Sequence, residues 1–240
     1  MPKEWYGRVE WWLERSSSPE YQEAYDRIAS SVPVSPGGVF LDVACGSGEL
    51  LERMRGKARK LVGSDATKRM LEEAAQSLYR SGMPVEIFDR SLTRAEWEEE
   101  AGKDRVALYL DNILHTTLPE GFFDAGSFTF PDVRAYKSGS ELKHALALLC
   151  RRLAGLRAPV RLDAVGNSFS RVKPHGVFAL AIYGRPFSEY TALEASLMRI
   201  QLFGTDSEPL SHAYHSDSQI GIDHGYNSDG YRIFVVRRPA

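Results

Sequence analysis

The sequence has few cysteines and no long apolar run, and each absence excludes a class of protein. Its 240 residues include only two cysteines, Cys45 and Cys150, which are too few and too widely separated to form a disulfide framework. A reducing compartment is therefore expected, and we expect a cytoplasmic protein. No apolar run approaches the ~18 residues that a membrane-spanning helix needs, and the first residues lack a cleavable-signal pattern, so no membrane partner is expected.

The sequence also lacks a charge excess of either sign. Its 30 basic and 32 acidic residues give a formal net charge of −2, and no long basic run occurs. Proteins that bind nucleic acid through phosphate contacts carry basic patches, so a nucleic-acid partner is not expected. The length fits one large α/β domain, which we expect to act as a monomer or a homodimer.

The most informative segment is residues 39–51, VFLDVACGSGELL, in which an apolar run meets a turn with two glycines. This pattern predicts a strand, a tight turn and a helix, the first unit of a nucleotide-binding α/β domain. A dinucleotide fingerprint would place a third glycine where Leu51 stands, and a P-loop would place Lys-Ser or Lys-Thr where Glu49 and Leu50 stand. The segment therefore fits neither of these two nucleotide sites.

Asp42, near the end of the first strand, suits a ligand that carries an amino group and a positive charge. Together with Ala44, Gly46 and Gly48, it makes the segment resemble motif I of the class I S-adenosylmethionine-dependent methyltransferases, in particular types 11 and 25. The resemblance implies S-adenosyl-L-methionine as the cofactor, with its methionine end held by the acid and the glycine turn. It also implies a Rossmann-like, mostly parallel sheet of seven strands flanked by helices, with the last strand antiparallel.

A second strand is predicted at residues 60–65, and it also ends in an acid, Asp65. Asp65 follows Gly46 by 19 residues, a separation that suits one intervening helix and places both at the carboxyl edge of a parallel sheet. A carboxylate at this position can accept both ribose hydroxyls. The resemblance makes Asp65 the motif II acid, places Ala66 against the adenine, and includes Met70 of the next helix in the cofactor site.

The third strand has two candidates, residues 85–89 and residues 106–112. We favour the second, because residues 118–124, LPEGFFD, resemble the family's approach to strand four. Residues 91–103 would then form an inserted, exposed helix around Trp97. This assignment places Asp111 or Asn112 at the adenine amino group and Ile113 on the ring; otherwise Asp89 takes that role.

The remaining elements follow the family's order. Strand four is predicted at residues 125–130, where Phe128 is a further cofactor residue, and a helical stripe of leucines follows at residues 142–153. Residues 172–180 resemble the turn and fifth strand of the family, and residues 231–236 are expected to form the last strand. The resemblance implies an antiparallel final hairpin there, and a solvated loop is expected over residues 206–229. We expect a helical cap or lid at residues 1–36 and the methyltransferase domain at residues 37–240, with insertions near 91–104, 158–170 and 184–203.

Histidines are the candidate general bases. His115 follows the third strand at the edge where ligands bind in such sheets, and it is the first candidate. His215, in a polar segment rich in histidine and aspartate, is the second. No metal site is expected, because the carboxylates that bind metal in some relatives have only Asp132 as a counterpart.

The aromatic N-terminal segment has two interpretations. It forms either a lid over cofactor and acceptor or a helical cap packed for stability. As a lid, it would contribute Trp5, Tyr6 and Tyr21 to acceptor binding. Arg185, in the insertion near residues 184–203, would meet an anionic acceptor.

The expected function is methyl transfer to an oxygen, nitrogen or carbon nucleophile of a small molecule. Residues 129–132, TFPD, lack the Asn/Asp-Pro-Pro-aromatic motif of nucleic-acid amine methyltransferases. Three alternatives remain open: a non-catalytic cofactor-binding partner or regulatory protein, an enzyme that performs decarboxylation or cyclisation in the same pocket, and an RNA or protein methyltransferase.

Overall fold

An eight-stranded mixed sheet organises the chain. The structure, a computed structural model, describes residues 9–129, 162–183, 206–216 and 230–240. The strands are β1 (Val39–Val43), β2 (Lys60–Asp65), β3 (Val85–Phe88), β4 (Val106–Leu110), β5 (Phe123–Thr129), β6 (Val172–Tyr183), β7 (Glu208–Ser216) and β8 (Gly230–Arg237). The helices are α1 (Val9–Ser16), α2 (Pro19–Ser31), α3 (Glu49–Arg53), α4 (Lys68–Arg80), α5 (Arg94–Ala101) and α6 (Leu162–Arg171), and Ile113–His115 form a 3₁₀ turn.

The strand order is β3-β4-β2-β1-β5-β6-β8-β7. Strands β1 to β6 pair in parallel, whereas β8 pairs antiparallel with both β6 and β7. The predicted α/β class, the parallel sheet and the antiparallel last strand are confirmed. The order changes direction at β1, between β2 and β5, which is where ligands bind outside the carboxyl ends of parallel strands.

The sheet has one strand more than the seven expected, because both candidates for the third strand form strands. β4 pairs with β2 and takes the expected position of the third strand, while β3 pairs with β4. All four residues of β3 are partly exposed. A four-residue segment, VEIF, is compatible with an edge strand, and its pairing depends on β4 rather than on local sequence.

The solvated loop predicted over residues 206–229 is wrong for its first half. Residues 208–216 form β7, which pairs with β8 from Glu208↔Arg237 to Ser216↔Gly230. The segment has little hydrophobic alternation, so its strand character comes from pairing with β8 and is not visible in the local pattern. The predicted helix at 142–153 and the insertion at 184–203 lie outside the described residues.

Two apolar clusters cover the two faces of the sheet. The first joins α2, α3 and α4 to the sheet through buried residues such as Ile28, Leu50 and Leu71. The second joins α5 and α6 to the other face through Trp97, Val165 and other residues. β1 supplies both clusters because successive side chains alternate, with Phe40 in the first and Leu41 in the second. Within the described ranges, no helix is long and apolar enough to cross a membrane.

Helix α5 forms where the inserted helix was predicted, but its Trp97 face is buried rather than exposed. Trp97 is 2% exposed, and its ring centroid lies 4.3 Å from that of Tyr109 on β4. On the same helix, the Glu100 carboxylate accepts hydrogen bonds from Lys60 Nζ at 2.7 Å and from the Arg105 guanidinium at 2.7 Å. The helix is therefore a structural part of the sheet's second layer.

Breaking this buried ion pair is expected to destabilise the fold. Burial raises the pKa of Glu100, but hydrogen bonds from Arg105 and Lys60 outweigh it and hold the pKa at about 2. Glu100→Gln leaves Lys60 buried beside a neutral partner and should lower the free energy of unfolding by ~3–5 kcal/mol in urea titrations at pH 7. Glu99→Gln, on the exposed side of the same helix, should cost less than about 1 kcal/mol. Equal effects of the two variants would contradict this account.

Candidate functional site

The turn after β1 consists of residues in the left-handed region of φ. Ala44, Gly46 and Gly48 have φ values of +54°, +54° and +87°. The Cys45 amide donates to the Ser64 carbonyl at 2.9 Å, and the Gly48 amide donates to the Cys45 carbonyl at 3.0 Å. The first bond fixes the turn to β2, and the second closes it before α3 begins. Glycine tolerates these φ values at no steric cost, which explains two of the three positions.

Asp65 ends β2 directly beside this turn, as predicted from its separation from Gly46. Its Oδ2 accepts a hydrogen bond from the Gly46 amide at 3.2 Å, and its Oδ1 accepts one from the Thr67 amide at 2.8 Å. Burial raises the pKa of Asp65 to about 6, although these amides oppose the shift. Each oxygen retains a lone pair, so the carboxylate can accept two further hydrogen bonds from a ligand.

Asp42 lies on β1 and is almost completely buried, at 1% exposure. Its Oδ1 accepts a hydrogen bond from Ser127 Oγ on β5 at 2.7 Å, and the strand register places these two residues opposite each other. Burial raises the pKa of Asp42 to about 7, the Ser127 bond opposes this, and the charges of Glu49 and Asp65 raise it further. A cation that approaches Asp42 would therefore strongly stabilise its ionised carboxylate.

The acids around the turn have no basic counterpart in the part of the chain that the structure describes. No Lys or Arg there lies within ion-pair distance of Asp42, Asp65 or Glu49. The Glu49 carboxylate instead accepts a hydrogen bond from Ser47 Oγ at 2.6 Å. Such an acidic site suits a cationic ligand.

The end of β4 lies next to Asp65, since the Asp111 amide donates to the Asp65 carbonyl at 3.0 Å. Oδ1 of Asp111 accepts a hydrogen bond from the Thr117 amide at 2.9 Å, whereas Oδ2 is buried without a partner. Asp89 follows β3, which lies beyond β4 in the sheet. Of the two acids considered for the adenine amino group, Asp111 is therefore the one adjacent to the rest of the site.

The other predicted cofactor residues at this edge of the sheet differ in how far their side chains are exposed. Asn112 is exposed, and its side chain accepts a hydrogen bond from the Leu114 amide at 3.1 Å. Ile113 and Phe128 are 3% and 1% exposed within the second apolar cluster, so they support the site from the core. The partly exposed Ala66 follows β2, and Met70, in the first turn of α4, is 9% exposed.

Helix α1 lies over the glycine turn. A Cβ atom added to Gly46 would lie 2.8 Å from Nε1 of Trp12, so the indole nitrogen stands directly against this glycine. The Oγ atoms of Ser16 and Ser47 are 3.2 Å apart, which joins the end of α1 to the turn. These contacts place the described part of the predicted lid above the site.

A second connection joins α1 to helix α4. The Glu10 carboxylate forms an ion pair with Arg69, in the first turn of α4. Tyr21, predicted as a substrate residue, is 1% exposed on α2, and its ring meets that of Trp12 edge-on at 5.6 Å. Tyr21 thus takes part in the packing beneath α1.

The candidate bases and the remaining substrate residues are only partly described. His115 is exposed at the end of the 3₁₀ turn after β4, at the carboxyl edge of the sheet. His215 lies on β7 opposite Tyr231, but the structure does not describe its side chain. Trp5, Tyr6 and Arg185 lie outside the described residues. Across the ranges described, no three or more His, Cys, Asp or Glu side chains are grouped so as to hold a metal ion.

Sequence reasoning missed Ser127 and gave Trp12 no particular role. Ser127 is in the middle of a strand, and only the register of β1 against β5 shows that it meets Asp42. Trp12 is one of several aromatic residues in the N-terminal segment, and nothing in the local pattern singles it out. Its contact with Gly46 depends on how α1 folds back over the turn.

Residues 40–130 match the family described as a methyltransferase domain, a range that runs from β1 to the end of β5. No curated protein matches the chain in sequence.

Several solved structures share the fold. The N-methyltransferase NodS from Bradyrhizobium japonicum, in complex with S-adenosyl-L-homocysteine, superposes with a TM-score of 0.56 at 11% identity, over 93% of this chain and 90% of that one. The cyclase SpnF gives 0.59 at 15% identity, over 92% and 81%. A complex of the Haloferax volcanii Trm112 methyltransferase activator with a proposed methyltransferase gives 0.57 at 13% identity, over 98% and 95%. At these identities the likeness establishes the fold.

Gly46→Ala is expected to disrupt the turn. The new Cβ would meet Trp12 Nε1 at 2.8 Å, and alanine at φ +54° costs ~1–2 kcal/mol. Calorimetry should show that S-adenosylhomocysteine binds about tenfold more weakly or worse. Gly37→Ala is the matched control, because nothing lies within 4 Å of its Cβ and its φ is not positive. Unchanged binding by the Gly46 variant would show that the turn is not the ligand site.

Asp42→Asn is expected to stabilise the protein while weakening the site. Because the pKa of Asp42 is raised from 3.8 to about 7 on folding, stability is lost as the pH rises through that interval. The neutral amide can still accept from Ser127, so the free energy of unfolding at pH 8 should rise by roughly 2 kcal/mol, and less at pH 5. Binding of S-adenosylhomocysteine at pH 8 should weaken. A variant that is both less stable and unimpaired in binding would refute the role given to Asp42.

Proposed function

We propose that this chain is a class I S-adenosylmethionine-dependent methyltransferase that transfers the methyl group to an oxygen, nitrogen or carbon nucleophile of a small molecule; the match of residues 40–130 to a methyltransferase domain and the shared fold support this. The observation that carries the proposal is the position of α1 over the glycine turn. Trp12 stands on Gly46, Ser16 meets Ser47, and Glu10 pairs with Arg69 of α4. A polymeric acceptor requires an open face above the donor, whereas an acceptor enclosed by a lid is small.

Charge supports the same acceptor class. The formal net charge is −2, and the acids at the site have no ion-pair partner in the described ranges. An RNA acceptor would bring phosphates to this region, at an electrostatic cost. The two widely separated cysteines support a cytoplasmic location for the activity.

The residues present fit the proposed donor. Its sulfonium supplies an electrophilic methyl group, so the protein's tasks are binding and alignment. Asp42 and Glu49 lie where they can hold an ammonium group, and Asp65 offers two carboxylate oxygens to ribose hydroxyls. The unpartnered Oδ2 of Asp111 offers an acceptor for the adenine amino group. Holding the reactants in line accounts for several kcal/mol of barrier reduction in such reactions.

His115 is the proposed general base for an acceptor that must lose a proton. It is exposed at the carboxyl edge of the sheet, three residues after Asn112 and on the same 3₁₀ turn as Ile113. An exposed imidazole there can reach an acceptor placed above the sheet edge. Acceptors that are already nucleophilic, such as carbon or a free amine, would need less help.

The acceptor class can be tested with a methyl donor tritiated on its methyl group. The protein is incubated with a filtered small-molecule extract, with total tRNA and with total protein in parallel. We expect label in the small-molecule fraction only. Label in tRNA or protein would overturn the acceptor class, and consumption of the donor without methyl transfer would point to a different reaction, as in SpnF, which is described as a cyclase. Binding of the donor without any turnover would favour a regulatory role.

The role of His115 as general base is tested with the labelled acceptor, once that acceptor has been isolated. His115→Ala should lower kcat by about 10²-fold or more if the acceptor loses a proton in the transition state, while affinity for S-adenosylhomocysteine stays unchanged. His175→Asn is the control, since His175 lies at the opposite, amino end of β6 and asparagine tolerates its φ of +63°. A full-rate His115 variant with a hydroxyl acceptor would exclude this assignment.

A further inference from the structure

Helix α6 binds the loop that follows β4 at two points. The Asn167 side chain donates to the Ile113 carbonyl, with Nδ2 2.8 Å from the oxygen, and the Arg171 guanidinium donates to the Leu118 carbonyl. Asn167 and Arg171 are four residues apart, so both lie on one face of α6. A carbonyl oxygen only accepts hydrogen bonds, which fixes the orientation of the Asn167 amide. The helix therefore holds both ends of residues 113–118.

This loop belongs to the part of the site that is proposed to recognise the adenine. Oδ1 of Asp111 accepts a hydrogen bond from the Thr117 amide at 2.9 Å. Oδ2, the atom proposed for the adenine amino group, is buried without a partner in the described ranges. The His115 amide donates to the Asn112 carbonyl at 2.8 Å and closes the 3₁₀ turn. Both bonds depend on the path of the chain between residues 113 and 118, which α6 fixes.

Of the two α6 residues, Asn167 is the one whose effect on the loop can be separated from packing. Arg171 is 8% exposed, and its guanidinium also donates to the Glu120 carboxylate at 2.9 Å and to the Asn167 carbonyl at 3.1 Å. Asn167 is partly exposed, and its side-chain amide gives the loop a single hydrogen bond to Ile113. Loss of this amide removes one restraint on the turn without removing a core side chain.

We propose that Asn167 is a positioning residue of the donor site. By holding the Ile113 carbonyl, it fixes the turn so that Oδ2 of Asp111 stays available to the adenine amino group and the site distinguishes adenine from other purines. Asn167 acts through the main chain of residues 111–115 and not by contact with the donor. The inference rests on the proposed function, since it assumes the donor and the role given to Asp111.

Discrimination between purine bases tests this role, because a residue that only stabilises the fold would not change it. The ligands are S-adenosylhomocysteine and S-inosylhomocysteine, in which an oxo group replaces the adenine amino group. In calorimetry, the wild-type protein should bind S-adenosylhomocysteine about tenfold more tightly or better, because the oxo group cannot donate to Asp111. Asn167→Ala should weaken S-adenosylhomocysteine binding by about 3- to 10-fold and change S-inosylhomocysteine binding by less than about twofold.

Two further variants separate the hydrogen bond from packing. Asn167→Asp keeps the shape of the side chain but presents only acceptors at pH 8, so it should lose discrimination as the alanine variant does. Ser170→Ala is the matched control on the same helix. The Ser170 hydroxyl donates to the Asn167 carbonyl at 2.9 Å within α6, and its main-chain carbonyl accepts from the Gly121 amide of the loop at 3.0 Å. Because alanine keeps that carbonyl, both affinities should stay unchanged, and the calorimetric stoichiometry gives the folded fraction of each variant.

Equal losses for the two ligands in the Asn167 variants would overturn the positioning role, as would wild-type discrimination in either variant or an equal change in Ser170→Ala. Equal binding of the two ligands by the wild-type protein would overturn the role of Asp111 and this proposal but leave the donor assignment intact. Failure to bind either ligand would overturn the donor assignment itself. A methylated polymer in the labelling experiment would overturn only the acceptor class.

Discussion

The hydrogen bond from the Gly46 amide to the Asp65 carboxylate is the contact on which the rest of the site depends. It joins the turn after β1 to the end of β2, and it forms only because parallel strands bring their carboxyl ends to one edge. The left-handed turn residues make the amide point toward Asp65, and the same turn presents the bare surface of Gly46 to Trp12. Strand order, turn conformation and the position of α1 therefore meet at one glycine.

The acids around this contact are buried at a cost to stability. Burial raises the pKa of Asp42 to about 7 and that of Asp65 to about 6, so the folded protein keeps carboxylates that a cation would stabilise. Stabilising groups elsewhere, such as the buried Lys60–Glu100 pair, lie far along β2 at its amino end. Functional sites commonly carry such locally unfavourable charge, and the ligand relieves it when it binds.

Much of the fold and of the candidate site follows from the sequence. Strands β1 and β2 end in acids with a glycine turn after the first, and the spacing of Gly46 and Asp65 is enough to bring them together. The rest required tertiary structure. The two short segments that form β3 and β4 are both candidates for one strand, and only the pairing shows that both belong to the sheet. β7 is a strand only because β8 pairs with it. The Asp42–Ser127 bond depends on register, and the contact of Trp12 with Gly46 depends on the path of α1.

Hydrogen–deuterium exchange of the whole chain, with and without S-adenosylhomocysteine, tests most directly whether the turn and the helix above it form one donor site. The ligand should slow exchange in α1, in residues 42–48 and around residues 111–115, and leave the amino ends of the strands unchanged. Slowing in the turn without any change in α1 would contradict the role given to the lid. Protection confined to other parts of the sheet, or no protection at all, would contradict the site itself.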